Sequence, residues 1–411
     1  MISSMRLATD LAQRAFLAGL FVLTCTSISI AAASAEIPAE PMAFYVATGA
    51  PDSCGPGCNR WIAVEGQIDA NAASRFRKFL QRVKDRNLPI YFASPGGNVD
   101  QAIAMGGMLR ERGAVAHVGR TVARECGFEA QDSAPCLKVK QSGAEMHADL
   151  WTRGAICVSA CPYLILGAPT REIAADAVVG VHSARVVVAF TGGTPTREMR
   201  AAATERGRER IDRSLTSYFK RMGAETALLD LAHTVRFEDM HVLTREEIVR
   251  FGIDRRDFVE TPWTFENAAR GVVYKTLTQR DGADGVYRTT HWRLFCMDGD
   301  RFELDYQRQA AGNAALLPTI SISNAPSTSL YFRPPPAKRQ GIEIWGLSLT
   351  KAAFRTFTEA PRFDFTETSL SDGRRLARTT RLSSEGLASA LEKLTVTCPA
   401  PSQPHRSAEN S

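Results

Sequence analysis

Three short segments carry the residue types from which acyl-transfer chemistry is built. Ser94-Pro95-Gly96-Gly97 is a glycine turn, Cys157-Val158-Ser159-Ala160-Cys161 sets a serine among small residues, and Gly180-Val181-His182-Ser183 brings a histidine. A serine hydroxyl is a weak nucleophile until an adjacent base accepts its proton. Backbone N–H groups aimed at the developing oxyanion supply the rest, each worth about 3–4 kcal/mol in the transition state. Ser159 stands where an apolar strand gives way to a helix, so its hydroxyl can be exposed while the Ala160 N–H points out of the helix N-terminus. Glycine permits close backbone approach, so Gly96 or Gly97 can offer the second donor. His182 closes the apolar run Val178-Val179-Gly180-Val181, a rigid mount for an imidazole. Taken singly, the serine reads as a helix cap, the histidine as structural and the glycine pair as a turn. Their order and context point to a hydrolase.

The elements that must position these residues alternate in type. Residues 61–68 read as a strand, and residues 70–86 place Ala73, Phe76, Phe79, Leu80 and Val83 at helical spacing. Residues 88–93 form a short apolar strand before the glycine turn, 99–112 a helix ending at Gly113, and 114–118 a further strand. Residues 154–158 resume a strand, 159–166 start a helix, and 178–181 lead into His182. This alternation predicts an α/β layer with a parallel sheet. Residues 36–59 are Pro- and Gly-rich and read as loop or edge structure. Residues 121–152 are polar and contain Cys126 and Cys136; they read as an insertion clipped by a disulfide at the mouth of the site. Residues 195–233 read as one long charged helix with an apolar face that includes Leu215, Tyr218, Phe219 and Met222. Its charges are either a solvated face of i,i+4 pairs or a partner-binding surface. Beyond residue 258, turn signals multiply and the only helix is expected at 384–394, which predicts a second, mainly β domain. Three consecutive prolines at 334–336 keep that segment out of a central strand.

The chain of 411 residues divides into a signal segment at 1–35, a hydrolase domain at 36–258, a β domain at 259–400 and a disordered tail at 401–411. Arg6 and Arg14, the apolar stretch 15–30 and Ala33-Ser34-Ala35 match an export signal cleaved before Glu36. An uncleaved segment would instead keep the protein near a membrane. A net charge of +6 without dense Lys/Arg blocks argues against a nucleic-acid partner. Removal of Cys25 leaves eight of the nine cysteines. By proximity they pair as Cys54/Cys58, Cys126/Cys136 and Cys157/Cys161, with Cys296 and Cys398 left for each other. Zinc at the C-x3-C spacings is the alternative, but no nearby histidine completes four ligands. No metal or cofactor is therefore expected, and the compartment is expected to be periplasmic or otherwise extracytoplasmic.

The succession of motifs resembles the proteolytic subunit of the Clp protease and its relatives in the crotonase-like fold, over residues 60–253, about half of the chain. The cysteine-flanked serine also resembles exported bacterial proteins of that type. The resemblance implies stacked ββα units, with Ser159 as nucleophile, His182 as general base, and Gly96 or Gly97 with Ala160 as oxyanion donors. It implies a closing segment at 242–253, a short helix ending at Gly252. It implies a peptide or protein substrate, and ring assemblies that make 195–233 a candidate self-association surface. The family's aspartate falls by strict count on Met240, so Asp239, one residue away, is the candidate third member. Relatives with a lysine base are a poorer match, because no lysine lies between Lys140 and Lys220.

An exported, ATP-independent serine peptidase or acyl hydrolase is thus the leading expectation. A catalytically silent envelope binding or assembly module is the alternative, and an acyl-thioester enzyme using the same oxyanion donors is a third reading. Closing loops by disulfides contributes about 2–4 kcal/mol each. Reduction is therefore expected to lower the melting temperature, and identical melting curves with and without reductant would contradict the pairing.

Overall fold

The computed structural model describes residues 41–190, 194–267, 271–282, 284–310, 317–325, 328–371 and 374–398. The expected signal segment and the tail at 401–411 lie outside them. In chain order the first part comprises β1 (Ala43–Thr48), β2 (Arg60–Glu65), α1 (Ala72–Arg82), β3 (Ile90–Ala93), α2 (Val99–Arg112), β4 (Val115–Val118), β5 (Arg120–Ala123), α3 (Ala134–Lys140), β6 (Met146–Trp151), β7 (Ile156–Val158), α4 (Cys161–Ile165), β8 (Thr170–Glu172), β9 (Val178–Val181), α5 (Arg197–Met222), α6 (Ala227–Thr234), β10 (His241–Val242) and α7 (Arg245–Arg250).

These elements build a mixed α/β layer. The main sheet has the order β5-β6-β1-β2-β3-β4-β8. Its stretch from β2 to β8 is parallel. However, β1 runs antiparallel to β2, and β5 antiparallel to β6. A fully parallel sheet is therefore not what forms. The apolar positions of α1 read from the sequence do face the core, with Phe76 and Phe79 buried. Helix α2 stops at Gly113, whose φ of 69° is one that glycine adopts without steric cost.

A second sheet has the order β10-β9-β7, with β7 and β9 parallel. The chain leaving β3 joins the two sheets. Ser94 pairs with Cys157, its N–H donating to the Ile156 carbonyl at 2.8 Å and its own carbonyl accepting from the Val158 N–H at 3.1 Å.

Three expectations change. Residues 36–59 contain β1, an interior strand between β6 and β2. Pro and Gly concentrate in the loop after it, and hide the alternation of its buried Ala43, Tyr45 and Ala47. The stretch 121–152 is more than polar loop, since it contributes β5 and β6, which extend the main sheet at its edge. The long charged helix is two helices: Gly223 ends α5 at φ 70°, and α6 follows. No described helix is long and apolar enough to cross a membrane.

The C-terminal part comprises β11 (Phe258–Glu260), β12 (Thr264–Glu266), β13 (Val272–Arg280), β14 (Tyr287–Asp298), β15 (Arg301–Gln309), β16 (Thr319–Ala325), β17 (Thr328–Tyr331), β18 (Arg333–Arg339), β19 (Ile342–Thr350), α8 (Lys351–Glu359), β20 (Arg362–Ser371), β21 (Arg374–Ser383) and α9 (Leu387–Val396). Two sheets result, β11-β13-β14-β15-β19-β18 with β12 beside β13, and β17-β16-β20-β21. They enclose a separate core around Trp292, Tyr306, Phe332, Trp345 and Phe365. The proline segment forms β18, an edge strand, where missing N–H donors leave no interior ladder broken. Helix α8 was not foreseen; its buried Phe354 and Phe357, three residues apart, are the signal that marks it.

A buried ionic network ties α3 to the main sheet. Lys140 donates to Glu65 at 2.8 Å with both side chains almost fully buried, and Glu65 also accepts from the Tyr45 hydroxyl and the Thr121 N–H, each at 2.7 Å. Breaking such a pair from one side leaves a buried charge and costs about 3–5 kcal/mol. Lys140→Met should therefore lower unfolding free energy by that order in urea titration. Adding Glu65→Gln, which keeps an acceptor for Tyr45, should recover part of the loss.

Candidate active site

The glycine turn brings two strands' ends together. Beyond β3 the backbone passes through Gly96 at φ 95° and Gly97 at φ 137°. A Cβ on Gly96 would lie 2.5 Å from the Ser159 Cβ and 2.8 Å from the Ala160 nitrogen, and one on Gly97 would collide with the Ile68 carbonyl. Only glycine lets the turn approach this closely. The turn is pinned by Ile68, whose N–H donates to the Gly96 carbonyl at 2.7 Å and whose carbonyl accepts from the Asn98 N–H at 2.8 Å. The Gly96 N–H donates to Ser94 Oγ at 3.1 Å. Among the described residues, the N–H groups of Gly97 and Ala160 have no partner. The two glycines thus separate in role: Gly96 makes room for the serine, and Gly97 keeps an available donor.

Ser159 adopts φ 62°, in the left-handed region that non-glycine residues rarely occupy. Its N–H donates to the Gly180 carbonyl at 2.9 Å, continuing the pairing of β7 with β9. Cys157 and Cys161 form a disulfide across it, with Cα atoms 5.1 Å apart and both residues buried. Helix α4 starts directly behind, with Pro162 in its first turn, where a missing N–H costs nothing. With both thiols bonded, neither Cys157 nor Cys161 is free to act as a nucleophile. The other three expected pairs also form, with Cα separations of 5.1 Å for Cys54–Cys58, 5.0 Å for Cys126–Cys136 and 5.4 Å for Cys296–Cys398. Among the described residues, no group of three His, Cys, Asp or Glu side chains could hold a metal ion.

His182 follows β9. The parallel register Val158↔Gly180 places Ser159 and His182 beyond the same ends of neighbouring strands. No hydrogen bond joins them among the described residues. The imidazole sits 5.0 Å from the Phe237 ring, tilted by 53°, and Nδ1 is buried without a hydrogen bond of normal geometry. Burial lowers the His182 pKa below 6.5, against the Phe237 backbone and the Glu238 charge, which favour the protonated ring. Among the described residues, no hydrogen bond joins Asp239 to this ring. Its carboxylate accepts from Arg236 Nε at 2.7 Å, both side chains being exposed. An arginine three residues upstream thus holds the carboxylate of the expected third member. Phe237 is the contact that sequence reading missed. Its signal is an aromatic residue just upstream of the expected acid.

No family model matches the chain, and no curated protein matches it. Solved structures give partial likenesses. A serine-to-alanine mutant of the 1510-N membrane-bound stomatin-specific protease aligns with a TM-score of 0.29 and 15% identity, over 47% of this chain and 75% of that one. A lysine-to-alanine mutant of the same protease, in complex with a substrate peptide, gives 0.29 and 16% over 47% and 71%. The invasion associated protein b from Bartonella henselae gives 0.24 and 8% over 32% and 96%.

Two alanine substitutions separate the turn from its surroundings. Gly96→Ala should push Ser159 out of place and destabilise by about 1–3 kcal/mol, the usual cost of overpacking. Gly107→Ala, in α2, meets nothing within 4 Å and should stabilise by about 0.5–1 kcal/mol through helix propensity. Thermal unfolding of both variants checks the contrast.

Proposed function

We propose that the chain is an exported serine peptidase, or a broader serine acyl hydrolase, that acts without nucleotide or metal. The observation that carries this reading is the left-handed backbone of Ser159, clamped between disulfide-bonded cysteines against Gly96. Backbone strain of this kind concentrates at functional sites. His182 takes the Ser159 proton as Oγ attacks the substrate carbonyl. The Ala160 and Gly97 N–H groups receive the oxyanion, and the imidazolium returns its proton to the departing amine or alcohol. Water, deprotonated by His182, then releases the acyl group. Extracytoplasmic residence is supported by the four disulfides. In this reading residues 36–258 form the hydrolase unit and 259–400 an accessory β unit, with self-association through 195–233 part of the same proposal. A silent binding module is the second reading, favoured by the local capture of Asp239 and the unpartnered Nδ1.

A fluorophosphonate probe on residues 36–411 distinguishes the two. Labelling should appear in the wild type and vanish in Ser159→Ala and His182→Ala. A folded wild type that is never labelled would select the binding module. The base works only when neutral, and its pKa lies below 6.5. Labelling should therefore hold steady above pH 6.5 and fall only at lower pH, as His182 becomes protonated. A limb centred above pH 7 would contradict this assignment.

A further inference from the structure

We infer that His182 is positioned by the Phe237 ring and by its place in the β9–β10 register, opposite Met240, and not by a carboxylate. This rests on the proposed hydrolase reading. Strand β10 pairs antiparallel with β9 in the register His241↔Val181 and Val242↔Gly180. The next pair in that register is Met240 opposite His182. Residues opposite each other in an antiparallel pair have Cβ atoms about 4.5–5.5 Å apart and share a face of the sheet. Diagonal neighbours two residues along share that face as well.

Gly180 confirms the side. A Cβ built there would lie 3.0 Å from Met240 Sδ and 3.1 Å from its Cγ. The methionine side chain therefore lies on the face of the sheet that Gly180 and His182 share, with its sulfur over Gly180. Phe237 closes the arrangement from the adjoining loop, which the Ser183 N–H holds by donating to the Val235 carbonyl at 2.9 Å. Phe237 offers no side-chain acceptor to Nδ1; its backbone, with the Glu238 charge, is what favours the protonated ring.

The charged groups around the imidazole are few and turned aside. Glu238 acts on it through space, Asp239 is held by Arg236, and Arg185 lies over the far ring of Phe237 at 5.4 Å. The base is thus fixed by contact and by its strand, and the neutral form is favoured by burial.

Three variants test this, read by NMR titration of the His182 ring and by probe-labelling rate against pH. Asp239→Asn should leave both the titration and the rate within about twofold of wild type, as for surface changes. Phe237→Ala should move the His182 titration upwards as burial is lost. Met240→Asp sets a carboxylate opposite the ring. It should raise the His182 pKa by about one unit or more and speed labelling by at least about tenfold. If Asp239→Asn slows labelling as His182→Ala does, or shifts the titration, the inference is overturned. An unchanged titration in both Phe237→Ala and Met240→Asp overturns it as well. The titration needs no activity, so a wild type that fails to label refutes the hydrolase reading while the positioning of His182 is still decided.

Discussion

Everything at the candidate site depends on β7 being held between the chain leaving β3 and strand β9. Three backbone hydrogen bonds set this: Ser94 N–H to Ile156, Val158 N–H to Ser94 and Ser159 N–H to Gly180. The three segments run parallel, so their C-terminal ends coincide at one edge. Parallel α/β sheets concentrate binding groups at that edge for this reason. The glycine turn, the serine and the histidine come from positions far apart in sequence, and share a site only because these ladders are in register. A one-residue slip would turn every side chain of β7 to the opposite face.

Strand β7 has only three residues, too few to resist a strained turn by itself. A left-handed non-glycine residue costs about 1–3 kcal/mol and persists where its surroundings over-determine it. The disulfide between Cys157 and Cys161 supplies one constraint, and the close approach of Gly96 a second. Burial supplies a third, since Cys157, Ala160, Cys161 and Leu164 are all sealed in the larger core. Ser159 itself stays half-buried, at the boundary between that core and solvent.

Much of this was legible in the sequence because it is local. The helix over 99–112 and its glycine stop, the strand at 178–181, and the disulfides clipping residues 4 and 10 apart follow from spacing alone. Cys296–Cys398, 102 residues apart, was reached by elimination. What sequence reading missed is set by pairing across distance. Strand β1 is interior only because β6 returns from the supposed insertion to lie beside it. The Arg236–Asp239 pair is local, three residues apart, yet was not read from the sequence. The position of Met240 opposite His182 needs the β9–β10 register, which no spacing rule provides.

An apolar mount for a histidine base has a definite physical consequence. A carboxylate on Nδ1 fixes the ring, stabilises the imidazolium that forms in the transition state, and raises basicity. Contact with Phe237 fixes the ring without a carboxylate's charge, and burial works against the imidazolium. General-base efficiency follows basicity as long as the base is deprotonated at the working pH. A base of lowered pKa is therefore weaker per encounter but stays deprotonated in mildly acidic surroundings, where a carboxylate-supported histidine would be protonated. Under the hydrolase reading, the site sacrifices intrinsic rate for competence across a wider pH range.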